Sequence, residues 1–220
     1  MRRPITIFLF LHVVMTTSWA QAGAWLEQTG SGFLSASSRA RETGTELGAY
    51  ASYGLSRNLT FGLDINQSDD SGFQSAHALA FARLPLRQRK AGWQLAVELG
   101  AGLGQRDADW TPMQRLTLSA GRALSWRGRD GWLAVDLGRE WHDAGDAWKL
   151  DGTLGLHRSQ GPAPIVQVEL YQPDYGDLAW KILPGLRWRL SPDRELLTGL
   201  EWRSFGEARL GLKVELWHRF

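Results

Sequence analysis

The sequence predicts an all-β fold: a transmembrane, antiparallel, up-and-down β-barrel of about 12 strands. Three observations predict it. Apolar and polar residues alternate with period two along most of the chain after residue 30. Tryptophan is abundant, 12 in 220 residues, and clusters near the ends of the alternating segments. No stretch past the first 22 residues is apolar enough for a spanning helix.

Residues 1–22 read as a secretory leader. Arg2 and Arg3 give a positive start, Ile5 to Met15 form a short apolar core, and Ala20-Gln21-Ala22 is a small-x-small cleavage site. Cleavage after Ala20 is the alternative. The core is shorter than the roughly 20 apolar residues of a membrane anchor. Removing the leader takes Arg2 and Arg3 from the 25 basic residues and no acid from the 23, which leaves 23 of each sign. A neutral chain gives no support to nucleic-acid binding. The absence of cysteine excludes a disulfide scaffold, a thiol enzyme, a lipid-anchored cysteine and Cys-ligated metal sites. The domain reading is a leader at 1–22, a short N-terminal segment at 23–30 and a barrel at 31–220. The short segment, with Trp25 and Leu26, is a candidate plug folded inside the barrel.

Twelve alternating segments follow, at about 31–40, 44–55, 58–67, 74–86, 92–104, 113–126, 131–142, 147–158, 164–173, 178–191, 194–203 and 207–220. Most have about the 9–11 residues that a tilted strand needs to cross a bilayer. The segments at 31–40 and 74–86 alternate poorly, so their registers stay open. In 58–67, Leu59, Phe61, Leu63 and Ile65 oppose Thr60, Gly62, Asp64 and Asn66. In 92–104, Trp93, Leu95, Val97, Leu99, Ala101 and Leu103 share one face. In 113–126, Arg122 shares parity with Leu116, Leu118 and Leu124, which predicts a bulge or a shifted boundary. In 147–158, Trp148, Leu150, Leu154 and Leu156 oppose Lys149, Asp151, Thr153 and His157. The last segment is the cleanest. Ala208, Leu210, Leu212, Val214, Leu216, His218 and Phe220 alternate with Glu207, Arg209, Gly211, Lys213, Glu215, Trp217 and Arg219. Turn residues separate the segments, as in Ser56-Arg57-Asn58 and Ser191-Pro192-Asp193.

A soluble sandwich also alternates. Tryptophan placement favours the membrane, because an indole suits an interface with one apolar side and one wet side. Trp93, Trp126, Trp132, Trp188 and Trp217 are expected at one rim, and Trp141, Trp148, Trp180 and Trp202 at the other. An even strand count returns both termini to one side. The connections on that side carry Arg57, Arg87, Arg89, Lys90, Arg127, Arg129 and Arg194. Those on the other carry Glu42, Asp69, Asp70, Asp107, Asp109, Asp143, Asp146, Asp174 and Asp177.

The final Phe220, with Leu212, Val214 and Leu216 at alternate positions before it, resembles the C-terminal signature of Gram-negative outer-membrane β-barrel proteins; His218 interrupts the series. The stretch Tyr50 to Asp64 (YASYGLSRNLTFGLD) looks like a hairpin of uncharacterised proteobacterial porin-like barrels. The resemblance implies location in the cell outer membrane and recognition of the last strand by the barrel-insertion machinery. It also implies contact with outer-membrane lipid and lipopolysaccharide.

In such a barrel the polar face lines the lumen. The expected pore-lining set is Asp64, Glu98, Asp136, Glu169, Lys181, Arg187, Arg189, Arg209 and Lys213. Acids dominate the earlier strands and bases the last three. Two readings stay open: opposed charged walls across a narrow pore, or charges that neutralise one another in a filled lumen. Twelve strands enclose more than eight do and less than a general porin. The expected function is a narrow channel or transport-associated protein for small polar solutes, acting as a monomer. The alternatives are an outer-membrane enzyme acting on lipid or peptide at the outer rim, and a structural barrel with a closed lumen. His142-Asp143 is the weak catalytic candidate, with Asp107, Asp109 and Glu140 as neighbours to consider, and His77 is a further one toward the outer end of its strand. No nucleophile elbow, zinc-helix motif or phosphate loop is present. No cofactor and no metal site are expected.

Overall fold

The computed structural model describes residues 23–71, 73–89, 92–106, 109–126, 128–143 and 145–220. The leader read at 1–22 lies outside them, as do Lys90, Asp107 and Arg127. Twelve strands make one closed sheet. They are β1 (Gly32–Arg41), β2 (Gly44–Ser56), β3 (Leu59–Asp70), β4 (Phe73–Arg87), β5 (Trp93–Arg106), β6 (Asp109–Trp126), β7 (Arg129–His142), β8 (Ala147–Leu156), β9 (Ala163–Pro173), β10 (Ala179–Arg189), β11 (Arg194–Arg203) and β12 (Leu210–Arg219). Each strand pairs antiparallel with its neighbours in sequence, and β12 pairs with β1 to close the ring. At the seam Gly32 donates to the Phe220 carbonyl at 2.7 Å, and the Phe220 amide donates back to Gly32 at 3.0 Å. Closure removes both sheet edges, so the ladder satisfies the backbone groups that lipid cannot.

The alternation read from the sequence becomes two faces. Leu63, Ile65, Leu99, Leu103, Leu118, Leu154, Leu186, Leu200, Leu212 and Val214 are exposed on the outside of the wall. In water so large an apolar surface would aggregate; in a bilayer it is the solvated face. Exposed Trp93 and Trp188 lie toward the end that holds both termini, and exposed Trp110, Trp141, Trp148 and Trp202 toward the other. Trp132 and Trp217 depart from the expected girdle: both are buried inside the barrel. Their parity explains it, because Trp132 shares a face with Asp136 and Trp217 with Lys213 and Glu215.

Strand boundaries follow the expected ones within two residues, except that β12 starts at Leu210 rather than 207 and that in β3 and β6 pairing outlasts the apolar belt. β3 runs on to Asp70, paired with Phe73 of β4, and β6 starts at Asp109, paired with Arg106. Backbone bonding continues there after the outward residues have become polar. Of the two alternatives read for β6, the bulge is absent and the boundary is shifted, the strand starting at Asp109 rather than 113. Its register with β5 and β7 is continuous, and Arg122 simply faces outward, opposite Trp93 and Leu133. The register shifts lie at Gly54/Ser56 in β2 and at Pro85/Arg87 in β4. Proline has no N–H for the ladder, so a shift there loses little.

Candidate functional site

The lumen holds the polar chemistry, and three groups of residues organise it. The first lies toward the end opposite the termini. Arg39 and Arg41 sit one inward step apart on β1, between β2 and β12. Arg39 reaches Glu46 at 3.0 Å, Glu169 at 2.5 Å and Glu201 at 3.6 Å. Arg41 reaches Glu46 at 2.7 Å and Glu201 at 2.5 Å. Lys181 adds contacts to Glu46 at 2.9 Å and Glu169 at 3.5 Å. Arg203 pairs with Asp70 and lies over the Phe205 ring. These side chains tie β1, β2, β3, β9, β10 and β11 together across the barrel.

The second group lines the facing wall. Arg83 pairs with Glu98 at 2.6 Å and donates to the Tyr50 hydroxyl at 2.7 Å. Arg115 reaches Asp64 at 2.7 Å, Glu98 at 3.5 Å and Glu140 at 3.8 Å. His77 Nε2 stands 3.4 Å from Asp64. Lys149 stands 3.2 Å from Asp151. Buried charges need such partners, because removing an ion from water costs several kcal/mol.

The third group closes the end that holds the termini. Residues 23–30 fold into the barrel there. The Glu27 amide donates to Thr60 Oγ1 at 2.9 Å, the Ser52 hydroxyl donates to Glu27 at 2.8 Å, and Gln88 donates to the Ala24 carbonyl at 3.0 Å. Ala24 is fully buried. Trp25 of this segment packs against a cluster that includes Phe33, Trp132 and Trp217, with Tyr50 stacked on Phe81 and Phe33 edge-on to Trp217. Arg187 lies 4.5 Å above the Trp132 ring and pairs with Glu195 at 3.3 Å.

Between the groups is a cavity of about 310 Å³, room for roughly ten waters at ~30 Å³ each. Of the expected pore-lining residues, Asp64, Glu98, Asp136, Glu169 and Lys213 line it. Lys181 lies in the first group and Arg187 beside the terminal aromatics. Arg189 and Arg209 are exposed at opposite ends of the barrel, away from the cavity. Lys213 holds Glu215 at 2.8 Å and donates to Gln167 at 2.7 Å.

Sequence reasoning missed Arg39, Arg41, Arg83, Arg115 and Glu46. Their presence overturns the picture of an acidic wall facing a basic one: Glu46, Asp64, Glu98, Glu140 and Glu169 each sit beside an arginine from β1, β4 or β6. The signal was present in the pairing. Short turns hold β4 against β3 and β5, and that register places Arg83 opposite Thr60 and Glu98. His142 ends β7 and lines a shallow recess at the rim opposite the termini with Pro112, Gln114, Trp141, Asp143 and Asp146. Among the described residues no carboxylate pairs with it within 4.0 Å. Of the neighbours considered for it, Glu140 is committed to Arg115 and Asp107 lies outside the described residues; the further candidate His77 faces Asp64 in the lumen.

No family model matches this chain, and no curated protein matches it. Solved structures do. The KdgM porin in complex with disordered oligogalacturonate superposes with a TM-score of 0.62 at 11% identity, covering 86% of this chain and 99% of that one. The COG4313 outer membrane channel from Pseudomonas putida F1 gives 0.57 at 10% identity, covering 89% and 97%. The NanC porin gives 0.55 at 10% identity, covering 85% and 98%. At such identities the likeness is one of fold. The fold is that of an outer-membrane β-barrel, and the apolar outer belt places the protein in that membrane.

Proposed function

We propose that this protein is a narrow, normally restricted channel for small polar solutes. The carrying observation is the charged mid-lumen cavity, bounded by the Arg39–Glu46–Arg41–Glu201 network on one side and by residues 23–30 on the other. A solute entering it meets both signs of charge and exchanges hydrogen bonds with water and side chains. The oligogalacturonate of the KdgM complex is not carried over. It is a polyanion, and Arg39, Arg83 and Arg115, the arginines facing this cavity, already hold carboxylates. On this reading the partners are small polar solutes inside, lipid and lipopolysaccharide around the belt, and the barrel-insertion machinery at β12. The working unit is a monomer.

A second reading, a structural barrel with a closed lumen, is favoured by the extent of the ion pairing and by the inserted segment. Planar-bilayer recording separates the two. Refolded residues 23–220 are expected to give small conductance steps, and deletion of residues 23–30 to give larger ones. Absence of conductance above leak in both, with folding verified by gel mobility, would overturn the channel and leave the closed barrel.

A further inference from the structure

We propose that maturation builds part of the lumen. Hydrolysis of the Ala22–Gly23 bond leaves an α-ammonium on Gly23 inside the barrel, where it pairs with Asp136. Water is the co-reactant and a leader-cleaving membrane peptidase the catalyst; the new carboxylate leaves with Ala22 and the amine stays with Gly23.

Five observations carry this. The small-x-small site Ala20-Gln21-Ala22 directly precedes Gly23. The chain from Gly30 to Gly23 is anchored at successive points inside the barrel: Gly30 donates to Gly54, Glu27 donates to Thr60, and the carbonyls of Trp25 and Ala24 accept from Arg83 and Gln88. The Trp25 ring and Ala24 lie against Gly121, where any side chain would clash, so the fit is close. At the far end, Gly23 abuts Asp136 and Ser119. A Cβ on residue 23 would stand 2.7 Å from Asp136 Oδ1 and from Ser119 Oγ. Finally, Asp136 Oδ1 is buried without a hydrogen-bond partner.

Asp136 therefore needs a donor at the place where Gly23 sits. Besides the Ser119 hydroxyl, the charged side chains that act on it most strongly are Arg83, Asp151 and Glu98, two of them acidic. Arg83 is engaged with Glu98 and Tyr50. A peptide N–H would bring one donor and no charge. An α-ammonium brings three donors and a full positive charge. At neutral pH an α-amine of ordinary pKa near 7.7–8.0 is mostly charged. Glycine is the residue that fits, since its absent side chain leaves the carboxylate within reach. Cleavage after Ala20 would move the amine two residues away, by up to about 7 Å.

The test has two arms. Intact-mass analysis of protein purified from membranes of cells expressing the full chain should give the mass of residues 23–220. A chain starting at any other residue overturns the proposal. In the second arm, proteins starting at Gly23 and at Ala22 are released by a site-specific protease, refolded, and crossed with Asp136→Asn. The Ala22 start and the Asp136→Asn change should each lower the melting temperature, by about 2–4 °C for each kcal/mol lost. Together they should lower it no further. Equal melting of the two starts, or a difference that survives in Asp136→Asn, overturns the proposal. Should Asp136→Asn fail to refold, the rate of α-amine acylation at neutral pH decides. It should be at least about tenfold slower for the Gly23 start than for the Ala22 start, as a buried ion pair worth ~1.4 kcal/mol requires; equal rates overturn it. Neither arm depends on whether the barrel conducts.

Discussion

Glu201 tests the lumen network at a single residue. Its carboxylate accepts from Arg41 Nε at 2.5 Å and from Nη2 at 2.9 Å, and both side chains are fully buried. Glu201→Ala leaves a buried guanidinium with Glu46 as its remaining close partner. The expected loss is about 3–5 kcal/mol, with most of it recovered when Arg41→Met is added. Urea unfolding in detergent, followed by tryptophan fluorescence, measures both. Glu27 makes a second prediction. Burial raises its carboxyl above the ordinary range, against the Ser52 hydroxyl and the fields of Arg83 and Arg219. A raised carboxyl binds more protons in the folded state than in the unfolded one. Stability therefore falls as pH climbs from the ordinary glutamate value toward the raised one. Glu27→Gln should flatten that part of the melting-temperature profile, read between about pH 4 and pH 8; an unchanged slope assigns it to another group.

Whole strands show why some registers were legible and others were not. In β12 and β8, large apolar residues outside face charged residues inside, so the two faces contrast strongly. In β1 the outward residues after Leu34 are Ala36, Ser38 and Ala40, and in β4 they include Ala78, Ala80 and Ala82. Small side chains blur the contrast, and Leu79 and Phe81 face inward against rule because the terminal half of the lumen is aromatic. The arginines missed in the site come from these two strands and from β6, where outward Arg122 broke the pattern. Packing between strands gives a further test. The Trp132 ring occupies the space that a side chain at Gly155 would need, whereas Gly152 has open space around it. Gly155→Ala should cost about 1–3 kcal/mol through overpacking, and Gly152→Ala should be close to neutral. Chemical denaturation of the two variants makes the comparison.

For the whole molecule, the outer surface decides where the protein can live. Val214 lies midway along β12, faces outward and is half exposed. An arginine there should cost about 2–4 kcal/mol in lipid vesicles. The same change should cost much less in a micelle, which deforms around the charge. Equal costs in both would mean that this face does not meet the hydrocarbon. The lumen responds oppositely: its charges are tolerated because partners from distant strands reach them.

The sequence alone determined the strands, their number and the sign of each well-patterned face, because side-chain alternation is a local property of an extended chain. It also marked Asp64, Glu98, Asp136, Glu169 and Lys213 as inward, since each lies on a strand of clear alternation. Tertiary structure decided what those residues do. Ring closure brings Arg39 of β1 against Glu169 of β9, 130 residues apart in the chain. No spacing rule reports such a contact, because it depends on the width of the closed barrel and the reach of an arginine across it. The same closure gave residues 23–30 a chamber to fill.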